Sequence, residues 1–96
     1  MPAYITLGNF TDQGARTIKD SPDRYEAFKA LAEGAGVTVK SVHWTTGAYD
    51  MVLVSEGPED ALMTLNMKMA ALGNIRTQTL RGFSITEMRK LVTALK

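Results

Sequence analysis

An α+β fold of element order βαββαβ, closed by one further helix, is what this 96-residue sequence predicts. Three observations predict it. Four runs alternate side chains with the period of two that marks strands. Two long runs carry apolar residues at helical spacing, each opened by Pro beside acidic residues and closed by Gly. The runs follow one another as strand, helix, strand, strand, helix, strand, the split βαβ arrangement called ferredoxin-like. Right-handed crossovers then give one four-stranded antiparallel sheet with both long helices on one face and nothing on the other.

Each element has a local reason. Residues 3–10 alternate, Ile5 and Leu7 pointing one way and Tyr4 and Thr6 the other. Thr11 suits the N-cap of a short helical segment over residues 11–19, with Asp12 placed to complement the helix dipole. Ser21-Pro22-Asp23 restarts a helix, because Pro at the first position gives up an N–H that has no partner there. Tyr25, Phe28, Leu31 and Ala32 form its apolar stripe, and Gly34 and Gly36 end it. Residues 37–46 and 49–56 read as the second and third strands. Gly47-Ala48 joins them, since Gly takes the positive φ of a type II′ turn. Gly57-Pro58-Glu59-Asp60 opens a second long helix that runs to Leu72 and stops at Gly73-Asn74. Residues 75–83 are the expected fourth strand. Ser84-Ile85-Thr86-Glu87 matches a capping box for a C-terminal helix whose apolar side holds Ile85, Met88, Leu91, Val92 and Leu95.

Composition excludes several functions. Eleven Lys and Arg stand against 10 Asp and Glu, a net charge of +1, so no clustered basic face for nucleic acid is expected. With no cysteine there is no disulfide, thiol catalysis or thiolate metal site. The single histidine, His43, has no partner at metal-ligand spacing, and the glycines fit no phosphate-loop pattern, so neither metal nor cofactor is expected. Arg76 and Arg81 lie five apart on the fourth strand and face opposite ways, so they form no phosphate clamp. No apolar run reaches the roughly 18 residues of a membrane span, and the opening residues alternate like a strand rather than a signal peptide. One cytoplasmic domain over residues 1–96 is the expectation.

The turn at Gly47-Ala48 sets a register in which Trp44 opposes Met51, Val42 opposes Leu53, His43 opposes Val52 and Ser41 opposes Val54. Val37, Val39, Val52, Val54, Ile5, Leu7 and Ile75, with His43, are assigned to the helix side. Tyr4, Thr6, Lys40, Val42, Trp44, Met51, Leu53, Gln78 and Leu80 are assigned to the bare face. A face so mixed is too apolar for water and implies a face-to-face homodimer. The second long helix supports further association. Leu62, Leu65, Met69 and Leu72 make one stripe and Met63, Met67 and Ala70 a neighbouring one.

The hairpin phrase Gly47-Ala48-Tyr49-Asp50 resembles the signature of the GYD domain family. So do the opening 4–14 stretch, Lys19-Asp20-Ser21-Pro22 and Gly73-Asn74-Ile75-Arg76-Thr77. The resemblance covers nearly the whole chain and implies a bacterial or archaeal protein with a dimeric α/β-barrel form of the ferredoxin-like fold. It implies architecture and no chemistry. The same phrase is similar to one in the effector-binding domain of the Lrp/AsnC regulators, which bind amino acids at subunit interfaces; no helix-turn-helix segment accompanies it here.

The expected function is an oligomeric small-molecule-binding module whose ligand site is bounded by Thr6, Trp44, Tyr49, Asp50 and Gln78. Asp50 would bond a ligand amine, or serve only nearby backbone amides. The Tyr49 hydroxyl would sit at the pocket mouth, and Trp44 would anchor an interface or stack on a ligand. The partners are a second copy and a small organic ligand. The alternatives are a cofactor-independent oxygenase or isomerase, with His43 or Asp50 in a cavity, and a purely structural oligomer.

Overall fold

The structure, a computed structural model, describes residues 2–95. Four strands, β1 (Ala3–Phe10), β2 (Thr38–Trp44), β3 (Met51–Glu56) and β4 (Ile75–Gly82), form one antiparallel sheet in the order β2-β3-β1-β4. Two long helices, α2 (Ser21–Gly34) and α3 (Glu59–Leu72), lie across one face of it. A short helix, α1 (Asp12–Arg16), and a 3-10 turn (Ile18–Asp20) bring the chain from β1 to α2. The last helix, α4 (Ile85–Thr93), follows β4. The ferredoxin-like order and the C-terminal helix are those the sequence predicts.

The caps explain the boundaries. The Thr11 hydroxyl accepts from the Gly14 amide and donates to the Gly73 carbonyl at 2.5 Å, so one side chain starts α1 and closes α3. Gln13 adds a bond from its amide nitrogen to the Leu72 carbonyl at 3.0 Å. Gly14 is buried here, and any Cβ on it would collide with the Asn74 carbonyl. Ser84 and Glu87 form the full capping box at the start of α4. Ser21 is the first residue of α2 rather than its cap, and its hydroxyl accepts from the Trp44 indole at 3.0 Å.

The core lies between the sheet and the two long helices. Tyr4, Phe28, Ala32, Val37, Leu53, Leu62 and Leu65 are buried there, with Tyr25, Val39, Val42, Ala61 and Met69 packed against them. The pairings expected across the hairpin all occur: Trp44 with Met51, His43 with Val52, Val42 with Leu53 and Ser41 with Val54. The turn itself is longer than expected. Strand pairing stops at Trp44 and Met51, after which the Thr45 amide donates to the Asp50 carbonyl, and Gly47 sits in the loop with φ +114.

The face assignment, by contrast, is reversed for most of the sheet. Tyr4, Thr6, Val42, Trp44, Met51 and Leu53 lie on the helix side; Ile5, Leu7, Val52, Val54 and His43 lie on the bare side. One residue causes this. A bulge between Val39 and Ser41 inserts Lys40 without a partner, so Val39 and Val42 both face the helices. Counting by twos from Val39 carries the wrong parity through Ser41 and His43, and pairing hands it on to β3 and β1. Gln78 and Leu80 face away from the helices, as expected, because they pair with Leu7 and Ile5. Val37, Val39 and Ile75 are on the helix side as assigned.

Candidate functional site

Two features of the molecule remain open to partners, one on each side of the sheet. On the bare side, two rows of side chains run across all four strands. One row is His43, Val52, Leu7 and Gln78; the next is Ser41, Val54, Ile5 and Leu80. Five of the eight are aliphatic, and they are adjacent. The helix α4 does not cover them: it makes almost no packing contact with the sheet or the other helices. Its own apolar stripe is consequently open, with Ile85 71% and Met88 51% exposed. On α3, Met63 and Met67 are also exposed, pointing away from the core.

On the helix side, a cavity of about 230 Å³ lies between α2, α3 and the sheet. Its floor includes Thr6, Gly8, Met51 and Leu53. One wall is the α2 stripe Ser21, Arg24, Phe28 and Leu31; the other includes Asn66, Met69 and Leu72 of α3. The lining is overwhelmingly apolar. Two of its polar lining residues, Asn66 and Thr6, are joined through Thr79: the Asn66 amide donates to the Thr79 hydroxyl at 3.1 Å, and that hydroxyl lies 3.3 Å from the Thr6 hydroxyl. Arg24 is held at the rim by three neutral oxygens, the Thr17 carbonyl and hydroxyl and the Gly14 carbonyl.

The five expected site residues are therefore not brought together. Thr6 is in the cavity floor. Trp44 is half exposed, with its ring edge-on to Tyr25 at 6.0 Å between centroids and its indole on Ser21. The Tyr49 hydroxyl reaches Gln78 at 3.4 Å, joining the hairpin loop to the row of β4 side chains that faces away from the helices. Asp50 takes the backbone role: its carboxylate accepts from the Phe10 amide at 2.9 Å while its own amide donates to the Gly8 carbonyl. That fixes the loop against the end of β1. His43 is exposed and, like Asp50, is absent from the cavity wall.

Arg24 and Asn66 are functional candidates that pattern reading passes over. The signal for Arg24 is present in the spacing of Ser21, Arg24, Phe28 and Leu31, which places a cation on the apolar side of a helix near its positive end. Nothing in the sequence tells how far apart α2 and α3 stand.

Among the described residues two titrations are shifted. Burial raises the Tyr4 hydroxyl above the ordinary phenol value, and its hydrogen bond to the Glu59 carboxylate at 3.1 Å acts in the same direction. The Ser84 amide holds the Glu87 carboxyl below the ordinary 4.5, with the Ser84 hydroxyl and Arg81 adding to the effect. A carboxyl lowered in the folded state contributes stability above its unfolded value, lost as pH falls through the folded one. Far-UV circular dichroism should show α4 helicity intact above pH 4.5 and fading below it, whereas Glu87→Gln should be flat over that range.

Among the described residues no cluster of His, Asp or Glu could hold a metal ion, and no helix is long and apolar enough to cross a membrane. Fold and surfaces together define a ferredoxin-like α+β protein with one uncovered aliphatic sheet face and one apolar cavity. The chain belongs to the GYD domain family, whose model matches residues 4–92. It is similar to a protein of Thermus thermophilus named glutamine synthetase and cystathionine beta-lyase binding protein. The two are 32% identical over 90 residues, which cover 92% of this chain and 95% of that one.

Proposed function

We propose that this protein is a cytoplasmic homo-oligomeric protein-binding module. Two copies join through the uncovered sheet face into the dimeric barrel, and the assembly docks on partner enzymes. The observation that carries the reading is the contiguous aliphatic patch of Ile5, Leu7, Val52, Val54 and Leu80, for which the chain supplies no cover among the described residues. Such a surface is unfavourable in water and marks an interface. The exposed apolar residues of α3 and α4 lie on other elements and leave surface for a second kind of partner. The relative of Thermus thermophilus, named for binding two enzymes, supports the same direction.

The test is titration of the purified protein with purified glutamine synthetase and cystathionine β-lyase, followed by calorimetry and co-elution. Saturable binding of either, weakened by Met63→Asp or Met67→Asp with the fold intact, is the expected result. No interaction with either enzyme would count against this partner class.

The cavity between sheet and helices favours a second reading, a module that also holds a small organic molecule. In that reading Thr6 belongs to the site, and Trp44, Tyr49, Asp50 and Gln78 act around it by positioning the hairpin and its loop. A volume of about 230 Å³ exceeds ordinary packing defects. An apolar space of this size is where a ligand with little polar character gains most from leaving water.

A further inference from the structure

We infer that the cavity between α2, α3 and the sheet takes a monocarboxylate with an apolar body, its carboxylate seated on Arg24. The inference rests on the small-molecule reading and adds the ligand's class.

Three observations set that class. The first is size. An apolar cavity of about 150 Å³ admits benzene, so about 230 Å³ suits on the order of ten non-hydrogen atoms. The second is the lining. Phe28, Leu31, Leu53 and Met69 leave little for a polar body to bond, and several of the polar lining residues already have partners: Thr6 and Asn66 in Thr79, Ser21 in the Trp44 indole and Asn74 in the Gln13 amide.

The third is charge. Arg24 borders the cavity with only neutral oxygens on its guanidinium. Among the described residues the one ion pair is Arg81 with Glu87, so neither Asp20 nor Asp23 on the adjoining turns contacts the guanidinium. A guanidinium presents five donors in a planar fork that matches a carboxylate, and two of its nitrogens account for the three bonds made here. The C-terminus of α3 stands close by, since Gly14, which Arg24 bonds, packs on Asn74, yet it does not oppose an anion. The α3 carbonyls that would repel it, those of Leu72 and Gly73, are occupied by Gln13 and Thr11. A cationic rim over an apolar chamber selects a molecule that is charged at one end only.

The experiment uses octanoate, with 1-octanol and octylamine as neutral and cationic counterparts of the same length. Each is titrated calorimetrically into the intact protein below its aggregation limit, with amide chemical shifts followed in parallel. Octanoate should bind saturably, shifting amides of Phe28 and Met69, about tenfold or more tighter than either counterpart. That preference should disappear in Arg24→Gln and return in part in Arg24→Lys, which restores the charge but not the fork. Ala27→Trp, which fills the cavity from its exposed rim, should abolish binding of all probes with the helical spectrum unchanged. If 1-octanol or octylamine binds as well as octanoate, the cavity holds ligands but the carboxylate assignment is wrong. If none of the three binds, the small-molecule reading itself is overturned.

Discussion

Leu7→Asp is expected to abolish the proposed pairing of two copies through the bare sheet face and leave a folded monomer. Leu7 stands in the middle of the sheet, between Val52 on β3 and Gln78 on β4, on the face the helices leave bare. A second sheet laid on that face would bury the new carboxylate without a partner. An unpaired buried charge costs about 3–5 kcal/mol, and a symmetric dimer would carry two. The dissociation constant should rise by about three orders of magnitude or more. Sedimentation velocity across a range of concentrations would measure it, with Ala30→Asp on the exposed side of α2 as a control that leaves association unchanged. A wild-type chain that sediments as a monomer, or a Leu7→Asp variant that still pairs, would rule out this face as the interface.

Leu65→Ala should act on the other side of the sheet and through a different quantity. Leu65 is 2% exposed and, with Leu62, belongs to the cluster that joins α3 to Tyr4, Phe28 and Leu53. Truncation leaves a void that this small core cannot refill, at about 2–5 kcal/mol. For a chain of this size the midpoint of thermal unfolding should fall by about 10 °C or more. Urea unfolding at fixed protomer concentration would check it, since association also shifts apparent stability. The two substitutions share no partners, so their effects on folding of the protomer should add. A loss below about 1 kcal/mol would mean the site collapses around the smaller side chain.

Leu7 and Leu65 also mark how far the amino-acid pattern reaches. The existence and order of the elements are legible in it because local chemistry determines them. Ser84 and Glu87 cap α4 as their spacing indicates, and Gly73 closes α3 where the stripe ends. Register is legible too, although the loop from Thr45 to Asp50 is wider than a two-residue turn. Facing is not. It depends on parity along β2, and a bulge leaves no mark in an alternating run: Val39-Lys40-Ser41-Val42 reads equally well with or without an extra residue. The consequence for the site is large. Trp44 and Thr6 go to the helices, His43 to the bare side, and the five residues expected around one ligand are parted by the sheet. The cavity itself is out of reach of pattern reading, because the distance between two helices is set by side chains meeting across the fold.

The bulge at Lys40 has one more effect, on how the sheet can grow. β2 and β4 are its two outer strands, and an outer strand with free amides and carbonyls is a template for further strands. Lys40 breaks the template on β2, where its charged side chain is exposed. On β4 the exposed Arg76 and Arg81 put cations along the other rim. In the proposed dimer, where stacking through the aliphatic rows ends once two sheets have met, these charges oppose lateral addition of further strands at both rims. The same inserted residue that reverses the strand faces thus favours the closed pair of the proposed dimer over an open-ended array.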